Sequence, residues 1–515
     1  MYIICRTVVP FFIIFIKKLL YLEGFCTIFL YGKKVEEITL KILTLIDSNW
    51  VDKEVDLSAS WINISNVYYK KLSEANYLLI DSFYNLIDIV PQSVIRIDDG
   101  NLYTSLSNRY NTYMSSGIDG IKDVYNANLN KILERRKITV FTICPTYSCN
   151  MACIYCFERR YDTSNEVISQ EKLNQLLEHL ENEIKKIRVD DPSHTIRIEF
   201  FGGEPLQKET QNIVKQVLMF ARKLKCELSI VTNGYLLCEY APLLIQYRDL
   251  LVEVMVTLDG PKEIHNLVRR SRKGNDDAFQ KIVQGIDLYL KLEIPINVST
   301  NVDRNNAGTI KQLFDFYNQM NWVNNPYFVA EIGRVYDRPA SKESSNIMSE
   351  VDIIKIFLEM FPDGNGPKWL RFGFLKITEQ VAQKFHIAFN QDEYGRVPFH
   401  YCWSTSPVIT GYYIDPFLNT FRCTTTVGFF KYSLGNINDI DYKSFNNSKI
   451  WGNSNVFTHK ECLSCNIGGF CGGGCVLERE ARGKQICFNE KKTFERFIDE
   501  IIVPIVKNVF DKLSL

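Results

Sequence analysis

From residue 138 onward the chain alternates short apolar runs with longer stretches whose apolar residues recur three to four positions apart. The short runs at 138–144, 195–201, 227–232, 252–258, 294–300 and 327–333 read as strands. Between them, residues 170–186, 210–224, 277–292 and 307–320 carry the helical period and read as amphipathic helices. Strand, helix and strand in repetition predict right-handed βαβ units on a parallel sheet. Six such units fall short of a closed eight-stranded barrel, so an α/β fold built on an open, partial (β/α)6 barrel is expected over residues 138–335. Its chemistry belongs at the C-terminal ends of the strands.

The flanks are patterned differently. Residues 1–137 predict an α+β extension, with a hairpin-like pair at 77–80 and 86–90 and a basic helix at 121–136. Residues 336–400 show no clear period and read as a connector. Residues 401–490 are rich in Cys and Gly, as expected of a small module held by ligands more than by an apolar core. Residues 491–515 close the chain as an amphipathic helix, and no solenoid repeat is evident. Residues 1–31 are strongly apolar, but Arg6, Lys17, Lys18 and Glu23 divide them. The longest uncharged run, Thr7 to Ile16, is far below the roughly 20 residues a membrane-spanning helix needs. No small-x-small cleavage pattern follows it. A folded N-terminus and a cytoplasmic protein are therefore expected, with a membrane association disfavoured.

Composition adds exclusions. The chain has 515 residues, 46% hydrophobic and 23% charged, which places it among globular proteins and excludes wholesale disorder. Lys and Arg number 60 and Asp and Glu 60, so the formal net charge is zero and no footprint of a nucleic-acid binder is present. Fifteen cysteines are too sparse for a small disulfide scaffold, and an odd total is awkward for a fully paired secreted protein. Their positions carry the signal.

Cys149-Asn-Met-Ala-Cys153-Ile-Tyr-Cys156 directly follows the first barrel strand. Three thiolates at this spacing suit a 4Fe–4S cluster with three protein-bound irons and one open to a ligand. Zinc, which usually takes a fourth ligand, and unliganded loop thiols are the alternatives. The motif resembles that of the radical S-adenosylmethionine (radical SAM) superfamily, and later motifs over about 138–335 agree in order and spacing. The resemblance implies that the open iron chelates S-adenosylmethionine, whose one-electron cleavage yields a 5′-deoxyadenosyl radical. Tyr155 matches the aromatic position of the motif. Gly202-Gly203-Glu204-Pro205, after the second strand, offers bare backbone and a carboxylate for an ammonium. It resembles the superfamily's methionine-amino-binding motif. Thr232 and Asn233 end the third strand and Thr257 and Asp259 the fourth, at positions resembling those around the ribose and methionine. Arg269 matches an arginine near the cofactor carboxylate. A plain turn is an equal reading for Asp259, and a helix surface is the favoured one for His265.

Cys402, Cys423, Cys462, Cys465, Cys471, Cys475 and Cys487 form a second group, interleaved with Gly468, Gly469 and Gly472–Gly474. Structural zinc is the competing reading. The order resembles the SPASM domain, which carries two auxiliary 4Fe–4S clusters. The resemblance implies Cys402, Cys423 and Cys475 for one cluster and Cys462, Cys465, Cys471 and Cys487 for the other. Two features depart from the pattern: Leu418 replaces a glycine, and the gap from Cys475 to Cys487 is short. A fourth ligand for the first auxiliary cluster is not evident. Of the remaining cysteines, Cys144, Cys226 and Cys238 read as packing residues.

SPASM-bearing radical SAM enzymes mostly modify peptides or proteins. The resemblance therefore implies an oxidoreductase that matures a ribosomally made peptide by a cross-link, thioether or epimerisation, fed by an electron donor such as flavodoxin or ferredoxin. The long N-terminal extension suits leader binding by strand addition. An anaerobic sulfatase-maturating, formylglycine-forming enzyme is the alternative, although Thr424 stands where that family places an aspartate. A non-catalytic electron carrier or sensor has no use for the Gly202–Glu204 motif. Six scattered His residues nominate no general base.

Overall fold

In the computed structural model the described residues are 38–46, 49–57, 62–110, 117–135, 138–160, 166–274, 277–336, 346–387, 399–405, 409–439, 451, 455–483 and 485–513. Residues 1–31, with the expectation placed on them, lie outside this set. The chain divides into two units: residues 1–121, 464–467 and 491–515 in one, and 122–463 with 468–490 in the other.

The first unit holds strands β1 (Ile38–Ile46), β2 (Asn49–Leu57), β3 (Ile62–Asn63), β4 (Tyr68–Lys71), β5 (Asn76–Asp81), β6 (Leu86–Pro91), β7 (Ile95–Asp98) and β8 (Asn101–Thr104). They make an antiparallel sheet ordered β2-β1-β6-β5-β4 and a smaller one ordered β3-β8-β7. The expected hairpin is β5–β6, closed by a turn in which Asn85 takes φ 52°, a conformation asparagine tolerates. Ile64, Val67, Leu79, Val90, Leu102, Leu106 and Tyr110 form its core. Asp88 is fully buried; Arg109 grips it bidentately at 2.8 and 3.0 Å, and the hydroxyls of Tyr110 and Thr44 donate to it at 2.7 and 2.8 Å. The closing helix belongs to this unit from residue 491 onward: Tyr68 meets Phe494 edge to face at 5.2 Å, and Lys70 pairs with Asp499 at 2.5 Å. Its helical run is Gln485–Phe497, a π-helical turn Ile498–Ile502, and Val503–Leu513.

The second unit contains the parallel strands β9 (Ile138–Ile143), β11 (Thr195–Phe200), β12 (Glu227–Thr232), β13 (Leu251–Thr257), β15 (Ile296–Val302) and β16 (Phe328–Arg334). Between β9 and β11 lies β10 (Met151–Cys153), and between β13 and β15 lies β14 (Arg269–Ser271). The six long strands neighbour one another in chain order, all parallel. Their crossover helices Gln170–Asp190, Gln211–Leu224, Ala278–Lys291 and Ile310–Gln319 turn residues such as Leu176, Val217, Ile286 and Leu313 inward, each fully buried. Ser169 and Asp277 cap two of them, accepting from the amides of Lys172 and Gln280.

The segment expected to be a mere connector is structured. Glu350–Met360 is a helix opened by a Ser349–Asp352 capping box, and Glu379–Lys384 is another. β17 (Leu370–Phe372) adds parallel to β16, while β18 (Ile409–Ile414) adds parallel to β9 on the other side of the sheet. With β19 (Asn419–Phe421) and β20 (Gly435–Asn436) the sheet reaches ten strands. A three-residue strand has too few positions to show a period, which is why the sequence pattern conceals it. No helix among the described residues is long and apolar enough to cross a membrane.

Candidate active site at the cysteine loop

The cysteine loop leaves β9 and is fastened at once. β10 pairs antiparallel with β14, bringing Met151 opposite Ser271 and Cys153 opposite Arg269. Two more backbone bonds lengthen the ribbon, from Ile154 N–H to Val268 at 2.9 Å and from Arg272 N–H to Asn150 at 2.9 Å. Cys149, Cys153, Tyr155 and Cys156 pack in one cluster with Met151, Tyr235, Leu236 and Ala278. Asn233 Nδ2 donates to Asn150 at 2.7 Å and approaches Cys149 Sγ at 3.7 Å. The amide of Met151 also points at Cys149 Sγ, at 3.4 Å.

Two polar networks flank the thiols. In the first, Glu204 is 1% exposed and accepts from Thr232 Oγ1 at 2.6 Å, Asn233 N–H at 2.7 Å and Leu206 N–H at 2.8 Å. Burial raises its carboxyl above the usual range, and those three donors oppose the rise. In the second, Tyr155 donates to buried Asp259, and Arg269 Nη1 donates to the Tyr155 hydroxyl at 2.5 Å. Asp259 also accepts from Asn301 N–H at 2.8 Å and stands 3.6 Å from Arg269. Burial disfavours the charge on Arg269, but Cys153, Tyr155 and Asp259 outweigh it and hold the guanidinium protonated. Tyr155, Glu204, Thr232, Asn233, Asp259 and Arg269 thus sit in one of the two networks, whereas Gly202 and Gly203 lie outside them and Thr257 is part-buried at the end of β13.

Gly202 and Gly203 serve the loop before they serve a ligand. A Cβ on Gly203, at φ 50°, would lie 2.3 Å from the Ser148 carbonyl and 2.6 Å from that of Thr146. One on Gly202, at φ 82°, would lie 2.2 Å from Cys144 Sγ. The glycines therefore let the turn after β11 press against the start of the cysteine loop, where Ser148 accepts from the Glu204 amide at 2.9 Å.

Three features depart from the sequence reading. His265 is fully buried, not on a helix surface; its Nδ1 accepts from the Asp259 amide at 3.2 Å, which fixes the turn after β13. Cys238 is exposed on its helix and does not pack inside. Glu158 went unnoticed: two residues after Cys156, it accepts from Gly203 N–H at 2.9 Å, and burial pushes its carboxyl up to about 7. An acidic residue soon after the third cysteine is the only signal the sequence offered.

The donor set fits the implied cluster. Cys149, Cys153 and Cys156 pack in the same side-chain cluster, which brings three thiols to one place, the number that a 4Fe–4S cluster with one open iron takes from the chain. Burial and the charge of Glu204 push the Cys149 thiol well above its usual range.

Of the second group, Cys423 and Cys475 pack on the same small cluster of Trp451, Val476 and Leu477. Burial pushes the Cys475 thiol up to about 12, with the charges of Cys402 and Cys423 adding to it, so the three are neighbours. Arg479 Nη2 lies 3.8 Å from both Cys462 Sγ and Cys487 Sγ and donates to the Gly473 carbonyl at 2.6 Å. Cys471 ends the short helix Gly468–Cys471, and Cys465 lies in the residue 464–467 segment of the first unit. Leu418 sits at φ 69°, the conformation that a glycine would take without strain.

Residues 143–317 match the model of the Radical SAM superfamily. The radical SAM cyclopropyl synthase TigE of Paramaledivibacter caminithermalis is 24% identical over 470 residues, covering 87% of this chain and 91% of its own. A cysteine-type anaerobic sulfatase-maturating enzyme of Clostridium perfringens is 24% identical over 350 residues, 65% of this chain and 87% of its own. Among solved structures, native anSMEcpe with bound AdoMet superposes with a TM-score of 0.52 at 19% identity, over 72% of this chain and 99% of that one.

Proposed function

Residues 143–317 form a radical SAM superfamily domain, and from that premise we propose that the protein modifies a peptide or protein by hydrogen abstraction. A 4Fe–4S cluster on Cys149, Cys153 and Cys156, with S-adenosylmethionine, supplies a 5′-deoxyadenosyl radical when bound. The chain's own residues bind and orient. Glu204 presents a carboxylate at the ammonium position, and Thr232 and Asn233 hold it in place. Arg269, fixed by Tyr155 and Asp259, offers a charge-assisted donor to the cofactor carboxylate. Burial of Glu204, 1% exposed, keeps water from that carboxylate.

The observation that carries this reading is the ribbon joining Cys153 to Arg269, which couples the cluster loop to a buried cation at the C-terminal end of the sheet. The cyclopropyl synthase relative, aligned over most of the chain, favours carbon–carbon bond formation on a peptide over the other products. Cys402, Cys423 and Cys475, and Cys462, Cys465, Cys471 and Cys487, would hold auxiliary clusters, fed by a cytoplasmic donor such as flavodoxin or ferredoxin. Formylglycine formation is the second reading, favoured by the sulfatase-maturating relatives. Against it, Cys423 is followed by the helical turn Thr424–Thr426, with no carboxylate at that place.

Anaerobic reconstitution with dithionite and S-adenosylmethionine should yield 5′-deoxyadenosine; none formed with iron fully loaded ends the radical reading. Mass spectrometry of a co-expressed peptide encoded beside the gene should show a loss of two hydrogens. A cysteine-to-formylglycine mass change would favour the second reading.

A further inference from the structure

The ribbon of β10 and β14 has two faces, of which the inner one carries the groups beside the thiols. In a paired strand alternate residues point to opposite sides. Met151, Cys153, Arg269 and Ser271 turn inward, none more than 8% exposed. Ala152 and Arg270, partners in the register, take the other side, followed by Ile154 and Arg272. Arg270 and Arg272 are exposed, and so is Lys273. Ile154 belongs to the cysteine loop itself, yet 49% of it is open to solvent. Leu267 is 53% exposed and directly precedes Val268, whose carbonyl accepts from the Ile154 amide. Two large aliphatic side chains thus stand in water on the opposite side of the ribbon from the Cys153 thiol.

The charges beside them are of one sign. Residues 269–273 read Arg-Arg-Ser-Arg-Lys, in a chain whose formal net charge is zero. Arg269 serves the inner network. Arg270 Nε donates to the Leu267 carbonyl at 3.1 Å and Arg272 Nε to that of Met151 at 3.2 Å, which lays both side chains along the ribbon. Among the described residues, no carboxylate stands within ion-pair distance of Arg270, Arg272 or Lys273. The nearby Asp277 is occupied by Lys262 at 2.5 Å. An apolar centre rimmed by unpaired cations suits a partner of the opposite charge, steered in at long range and readily released. Electron-transfer encounters are of this kind, small in area and short-lived.

We propose that the outer face of the β10–β14 ribbon is the docking surface of an acidic one-electron carrier protein, centred on Ile154 and Leu267; this rests on the reading that Cys149, Cys153 and Cys156 hold a 4Fe–4S cluster. The carrier gives up one electron, which the cluster accepts, and no covalent bond forms or breaks. This face is favoured because the backbone of Cys153 is part of it, so the thiol side and the solvent side are a single strand layer apart. Ile154 and Leu267 exclude water at the centre of the contact, while Arg270 and Lys273 draw in and orient the carboxylates of the partner.

The test uses the anaerobically reconstituted holoenzyme with S-adenosylmethionine, and a purified flavodoxin as the acidic carrier. Binding of oxidised flavodoxin is titrated calorimetrically, and 5′-deoxyadenosine formation is driven in parallel by reduced flavodoxin or by dithionite. Arg270→Glu/Lys273→Glu should weaken flavodoxin binding about tenfold or more and slow the flavodoxin-driven reaction likewise at subsaturating carrier. The dithionite-driven rate should stay within about twofold, since neither side chain touches the inner network. Lys215→Glu/Lys225→Glu, an equal charge change at the exposed side of the helix Gln211–Leu224 and at its C-terminal cap, should leave flavodoxin binding intact. Equal loss in the two double variants overturns the proposal, as does undiminished binding in the first or no binding to the unaltered holoenzyme. Intact flavodoxin binding with weakened binding of the co-expressed peptide also overturns it and assigns the face to the substrate. Should the charge-reversed variant fail to load iron, Leu267→Gln and the salt dependence of the unaltered protein decide: binding insensitive to both overturns the proposal. Absence of 5′-deoxyadenosine with dithionite at full iron loading ends the radical reading, while flavodoxin affinity still decides the docking face.

Discussion

The backbone of Cys153 pairs directly with that of Arg269 in a short antiparallel ribbon, although 116 positions separate them in the chain numbering. The arginine's guanidinium then returns to the Tyr155 hydroxyl, one residue before Cys156. Cluster loop and cation are therefore positioned as one body.

Replacing Arg269 tests that coupling. Arg269→Lys keeps the charge but loses the Nη1 donation to the Tyr155 hydroxyl, so 5′-deoxyadenosine formation should fall by about 10²-fold, from a lost charge-assisted bond worth roughly 3 kcal/mol. Arg269→Ala leaves buried Asp259 without its cation and should also destabilise the fold by about 3 kcal/mol or more, read as a lower denaturant midpoint.

Cys149→Ala should abolish 5′-deoxyadenosine while retaining the iron attributable to the second cysteine group. Iron analysis and absorbance near the cluster bands check this. Loss of all iron from the single substitution would contradict separate sites.

Gly203→Ala and Gly100→Ala form a controlled pair, both at positive φ. A Cβ at Gly203 collides with the carbonyls of Ser148 and Thr146, whereas at Gly100, φ 76°, nothing lies within 4 Å. Gly100→Ala should cost about 1 kcal/mol from backbone strain alone. Gly203→Ala should cost more, about 3 kcal/mol, and should reduce cluster loading by moving the cysteine loop. Equal effects of the two would refute the role given to Gly203.

At Leu418 the usual order of alanine and glycine should invert. Both replacements discard a side chain that is 2% exposed, at a cost of about 2–5 kcal/mol. With φ at 69°, however, Leu418→Gly should be more stable than Leu418→Ala by about 1 kcal/mol, measured by thermal unfolding.

His265 predicts a pH dependence. Burial, and then the charge of Arg269, lower its folded pKa to about 3, against roughly 6.5 when unfolded. Between these values the unfolded chain binds the extra proton, so stability rises with pH there. The contribution is complete above about pH 6.5 and is lost as pH falls toward 3. His265→Asn, which keeps an acceptor for the Asp259 amide but does not titrate, should flatten the slope of unfolding free energy between pH 4 and 6.

The order of the six barrel strands was legible because each is long enough to show its pattern and is bounded by a helix of the other period. Cys149, Cys153 and Cys156 were legible as a group because the three fall within eight residues of one loop. Glu204 was visible too, since the motif Gly202–Pro205 is contiguous. β17 was not, being three residues at the sheet edge, and neither was the membership of residues 491–515 in the first unit, which depends on contacts such as Tyr68 with Phe494.

What the sequence determined by itself was local: the period of each element, and the ligand types brought together by short spacing. Only the tertiary structure decided that Arg269 stands beside Cys153, that His265 is buried, that Gly203 makes room for the Ser148 carbonyl, and that Ile154 and Arg270 share the outer face of one ribbon. The physical reason is that these relations arise from pairing between strands and from burial. Both depend on residues distant in the chain, and neither leaves a repeat along it.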